Sequence, residues 1–191
     1  MIKKILFSMA FLVSGWAFAE DMSLIAEISQ KSINLVQQKT ITQGLNWKQG
    51  DENNYSVDMG FIKGSMVMLV KSITAEGIWM DQNIDLGFAG KQQVQILLDQ
   101  NTGEVKKMIV NGKEQAAPKN NVEVVEVKDD KITVPAGTFE CLHATLQDKD
   151  NKEQMNIWVN PQAIPLSGML KTIQPSQFGE VTILLTSFKK N

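Results

Sequence analysis

Two periodicities divide the chain. Over residues 23–38, Leu24, Ile25, Ile28, Leu35 and Val36 fall on one stripe of a helical repeat, and Glu27, Gln30, Lys31 and Gln38 take the other side. Asp21 or Ser23 is placed to cap the start. This pattern predicts an amphipathic helix, which must lay its apolar stripe over something apolar. From residue 41 onward the repeat drops to two. Ile41, Leu45 and Trp47 alternate with polar positions, then Gln49-Gly50-Asp51-Glu52-Asn53 punctuates, then Tyr55, Val57, Met59 and Phe61 alternate again. That is the signature of a hairpin of two half-buried strands over 41–48 and 55–61.

The two-residue repeat continues to the end. Residues 65–73 are apolar on both faces, with Met66, Met68 and Val70 against Val67 and Leu69, which predicts a strand covered on both sides. Further strands are expected over 78–86, 92–99, 105–110, 122–128, 131–134, 138–147, 153–159, 169–173 and 181–188. Asn111-Gly112 is a strong hairpin signal, Asp129-Asp130 reads as a turn, and Pro135-Ala136-Gly137 as a bend. Gly87-Phe88-Ala89-Gly90 breaks one run, and Asn160-Pro161 with Pro165 frames an irregular piece. Ten or eleven short strands at this spacing predict an all-β, all-antiparallel fold. Strand twist curls so long a sheet. The expected architecture is therefore a strongly curved half-barrel with the one N-terminal helix across its mouth.

Residues 1–19 stand apart. Lys3 and Lys4 precede the apolar run from Ile5 to Val13, and Ala17-Phe18-Ala19 is a small-x-small cleavage signal. That order reads as a secretory signal peptide cut near Ala19, which leaves residues 20–191 as a single exported domain and makes a periplasmic or secreted location the expectation. The apolar run is shorter than a membrane span, which needs roughly 20 residues. The full chain carries a net charge of −2, and losing Lys3 and Lys4 makes it more negative, which argues against nucleic acid as a partner. There is no arginine, so no guanidinium fork is available for phosphate or carboxylate. The single cysteine, Cys141, has no disulfide partner within the chain.

Candidate chemistry is sparse. Cys141 and the only histidine, His143, share a face of one predicted strand, but same-face neighbours sit about 6.5–7 Å apart, too far for a thiol–imidazole hydrogen bond. No third group completes either a catalytic triad or a metal site. Asp81-Gln82-Asn83-Ile84-Asp85 begins like a calcium loop, but Leu86 and Gln92 stand where glycine and a carboxylate are needed. No enzyme activity and no cofactor are expected. The methionines carry more. Met59, Met66, Met68, Met80, Met108, Met155 and Met169 lie in or beside predicted strands, and methionine adapts to variable apolar partners. The lining expected for an apolar, lipid-like ligand is Tyr55, Val57, Met59, Met66, Met68, Met80 and Trp158. The alternative is an envelope structural or interaction module that docks a protein partner through its sheet.

The segment Val134-Pro135-Ala136-Gly137-Thr138-Phe139-Glu140-Cys141, followed by Ile157-Trp158-Val159-Asn160-Pro161, resembles an element of exported bacterial proteins of unknown function. The layout of one helix and then a curled sheet is similar to that of periplasmic lipoprotein-carrier and related lipid-binding folds. That resemblance implies an exported protein with a curled sheet and carries no catalytic residues over to this chain.

Overall fold

The structure, a computed structural model, describes residues 45–117, 121–176 and 179–191. They form one antiparallel sheet of eleven strands: β1 (Glu52–Met59), β2 (Ile62–Thr74), β3 (Gly77–Asp85), β4 (Lys91–Leu98), β5 (Val105–Val110), β6 (Lys113–Gln115), β7 (Val122–Val134), β8 (Gly137–Asp148), β9 (Gln154–Val159), β10 (Met169–Ser176) and β11 (Gly179–Lys189). The order across the sheet is β6-β5-β4-β3-β2-β1-β11-β10-β9-β8-β7. Among the described residues the first and last strands thus pair at the centre, and β6 and β7, consecutive in sequence, are the two edges.

Connectivity alone shows that the sheet is curved. Laid flat, eleven strands would hold their edges about 48 Å apart at about 4.8 Å per spacing. The chain from Gln115 to Val122 reaches at most about 25 Å. The edges are therefore brought round toward each other, and the sheet is a barrel left open between β6 and β7. A contact on the other side of the wall agrees with this. β9 and β10 separate β8 from β11, yet the tip of the β7–β8 hairpin reaches β11: the Ala136 N–H donates to the Leu185 carbonyl at 3.2 Å, and Phe139 meets Phe188 edge-to-face at 6.3 Å.

Strict alternation then sorts the side chains. In β1, Asn53, Tyr55, Val57 and Met59 are buried while the residues between them are half-buried. The same inner face takes Met66, Met68 and Val70 of β2, Met80 of β3 and Ile183 of β11, all fully buried in one contiguous apolar cluster. The outer face is only partly covered. Val67 and Leu69 are half-buried, so β2 is a one-sided strand and not the doubly covered one its composition suggests.

Two irregular segments close the end of the barrel where β1 starts and β11 finishes. Residues 45–51 cross it: the Leu45 N–H donates to the Gln100 carbonyl at 2.8 Å, and Gly50 and Asp51 exchange bonds with Val70 at 2.9 Å each. The described part of the expected strand over 41–48 is not a strand. Leu45 to Lys48 are irregular, because they serve as a strap, and 41–44 lie outside the described residues, as do the expected helix over 23–38 and the leader. The second strap is residues 160–168. The Asn160 side chain accepts from Gln162 and Ala163, its own N–H donates to the Gly168 carbonyl at 2.8 Å, and Ile164 and Leu166 point into the core. The other end carries hairpin connections, among them a single 3-10 turn at Gly87–Ala89. Another is Asn111-Gly112, with φ of 49° and 79°, the pair of positive values a two-residue hairpin turn requires.

A further difference concerns Asp129-Asp130. They are not a turn. β7 runs unbroken for 13 residues, and these two aspartates pair with Leu142 and Cys141 of β8. The acidic pair looks like punctuation because an edge strand faces solvent on its free side and tolerates charge there.

Candidate partner-docking surface

The inner face gathers six of the seven residues expected to line a ligand site. Tyr55, Val57, Met59, Met66, Met68 and Met80 are each at most 1% exposed and pack in the same cluster. Tyr55 is tied down at its tip: the Asn53 amide donates to its hydroxyl at 3.0 Å and to the Pro165 carbonyl at 2.9 Å, and the hydroxyl donates to the Met169 carbonyl at 3.3 Å. Burial holds its phenol well above the ordinary tyrosine range. These side chains are buried core, and Tyr55 is tied through Asn53 to the 160–168 strap.

Trp158 is not with them. It alternates with the buried Ile157 and Val159 and therefore lies on the outer face of β9. There it is held between two strands. His143 of β8, its cross-strand partner, stacks on it at 4.1 Å and 9°, and the Lys171 ammonium of β10 stands 4.9 Å from the ring centroid. Its indole N–H donates to Asp130 Oδ2 at 2.8 Å. That bond, followed by one from the Lys131 N–H, holds the Asp130 carboxyl below the usual aspartate range. His143 donates through Nε2 to Asn156 Oδ1 at 3.0 Å. The row from Asp130 to Lys171 braces the outer face across four strands, β7 to β10.

The same geometry disposes of a thiol–imidazole pair. Cys141 Sγ is hydrogen-bonded to the Asp130 carbonyl at 3.5 Å, while His143 is bonded to Asn156. Burial pushes the thiol up to about 11, and the charges of Asp130 and Glu140 add to it. A thiol held protonated is a poor nucleophile. Asp81 and Asp85 stand on the outer face of β3, and Asp81 is paired with Lys71 at 3.3 Å and Gln95 at 3.1 Å. Among the described residues, no three His, Cys, Asp or Glu side chains are grouped to hold a metal ion.

What remains unabsorbed by the fold is the edge. β6 is three residues long and fully exposed, too short to template another strand. β7 is 13 residues long, and its first half reads Val-Glu-Val-Val-Glu-Val. The pairing with β8 shifts between Val124 and Glu126, so Val125 is an extra, bulged residue. Val124 and Val125 are 40% and 53% exposed, on a strand that is an edge among the described residues. Glu123, Glu126 and Lys128 beside them are exposed, and Glu126 and Lys128 pair loosely at 3.7 Å. Sequence reading passed over Val124 and Val125. The signal was available, since two adjacent valines interrupt an otherwise strict alternation, which is how a bulge looks in sequence.

No protein-family pattern and no curated protein match this chain. Solved structures do. The hypothetical protein CT021 from Chlamydia trachomatis is 11% identical, with 81% of this chain and 92% of that one covered at a TM-score of 0.53. A Bacteroides fragilis protein described as exported, with a YmcC-like fold, is 11% identical over 78% of this chain and 99% of that one, at 0.43. A chain of the Pseudomonas aeruginosa MucA/MucB complex is 7% identical over 84% of this chain and 56% of that one, at 0.47. The chlamydial protein shares the fold. Among the described residues, no helix is long and apolar enough to cross a membrane.

Proposed function

We propose that this chain is an exported, non-enzymatic module of the cell envelope that docks a protein partner through its sheet. The observation that carries the reading is the open edge. Among the described residues, an eleven-stranded sheet wraps round, stops short of closing and leaves 13-residue β7 with no strand along one side, with two valines exposed on it. Long exposed edges are templates for pairing with another chain, and charges or bulges along them limit which chain can pair. The leader-like start of the chain supports export. Carriage of a lipid inside the barrel has less support, because its expected lining divides between the two faces of the sheet and the inner part is already packed with its own side chains.

The test is photo-crosslinking in exporting cells, with a photoreactive residue placed in turn at exposed positions on every face of the barrel. A discrete protein adduct from a contiguous set of positions is the expected result. Adducts with lipid alone, or none from any position, would contradict the reading.

A further inference from the structure

We infer that the first half of β7, Val122 to Val127, is a strand-addition site, and that its occupant is an extended protein segment alternating β-branched with lysine or arginine residues. The inference deepens the protein-docking reading and rests on it. Three features select this stretch. Alternate residues of an edge strand direct their N–H and C=O groups away from the sheet, and only another extended backbone matches that spacing. The bulge at Val125 sets two valines side by side on the edge, a pair of apolar anchors where regular alternation would give one. The charges in this half are Glu123 and Glu126, with lysine entering only at Lys128, so a complementary strand carries cations opposite them.

The second half is unsuited. There Asp130 is engaged by Trp158, Lys131 pairs with Glu140 at 2.7 Å, and Val134 is buried beside the tip that docks on β11. The partner strand therefore pairs along the half of β7 that adjoins the β8–β9 turn.

The experiment uses the mature protein and a terminally blocked peptide of four Lys-Val repeats. Binding is expected, with loss of at least tenfold in affinity in the double variant Glu123→Lys/Glu126→Lys and in the single variant Val125→Lys. Glu104→Lys, an exposed charge change remote from β7, should leave binding unchanged. The same peptide N-methylated on alternate amides should bind at least tenfold more weakly, since it cannot complete a ladder. Equal binding by the methylated peptide, or by a Glu-Val peptide, would reduce the effect to nonspecific attraction and overturn the inference. A melting curve for each variant checks that it folds, and Val125→Lys alters only a bulged, half-exposed side chain. A concentration-dependent dimer in sedimentation, broken by Val125→Lys, would give the edge to a second copy of this chain and also overturn it. Photo-crosslinks from other faces with β7 silent would sink this assignment while leaving the docking reading intact. No protein crosslink anywhere would remove both.

Discussion

At the scale of single residues, burial and hydrogen bonding set what the ionisable groups can do. The Cys141 thiol, pushed up to about 11 from an ordinary 9.0, prefers the protonated state in the fold more than in the unfolded chain. The unfolded state then binds fewer protons between those values, so stability falls as pH rises from about 9 toward 11. Thiol-labelling rates at neutral pH should accordingly be slow in the native protein and fast in denaturant. Equal rates would contradict the buried, protonated thiol. The carboxylates run the other way. Asp58, Asp85, Asp99 and Asp130 are all held below the ordinary aspartate value of 3.8, chiefly by bonds from Lys63, Lys91, Lys106 and Trp158 respectively. The stability they contribute is present above that value and lost as pH falls through their lower native values. Melting temperature measured downward from neutral pH should hold and then drop in the acid range. Trp158 offers a local probe. Asp130→Asn removes the charged acceptor of its indole N–H and should change its fluorescence without unfolding the protein.

At the scale of elements, each strand carries out its alternation and the straps carry the exceptions. Truncating a fully buried methionine such as Met68 or Met80 to alanine should cost about 2–5 kcal/mol, read by denaturant unfolding. Gly168→Ala is the sharper test of the 160–168 strap. Gly168 sits at φ 67°, and an added Cβ would lie 2.6 Å from the Pro161 nitrogen. The substitution should destabilise by more than about 1 kcal/mol, and a neutral result would mean that the strap does not pack as described. Most strands were legible in sequence because the two-residue repeat is local. Asn111-Gly112, the breaks at 87–90 and 160–165, and the run from Thr138 to Gln147 needed nothing beyond neighbouring residues. What failed depended on distant contacts. Leu45 and Trp47 alternate like a strand, but Leu45 bonds to Gln100 across the barrel end. Asp129-Asp130 look like a turn because sequence cannot say that β7 is an edge. Trp158 is among the expected lining residues, but the parity of Ile157 and Val159 puts it on the outer face.

At the scale of the whole molecule, curvature was foreseeable and the position of the opening was not. Ten or eleven strands in one sheet were expected to bend, and the eleven described strands do. Where the sheet stays open depends on β1 pairing with β11, a contact between residues near opposite ends of the described chain, such as Val57 with Ile183. No local pattern encodes it. That closure puts the edges at β6 and β7, and so decides which strand a partner can reach. The most direct measurement is amide hydrogen exchange on the protein alone and bound to the partner recovered by crosslinking. On binding, exchange should slow in Val122 to Val127 and hardly change in β1, β2 and β11, which are already paired on both sides. Protection confined to those central strands, with β7 exchanging as freely as before, would contradict docking at the open edge.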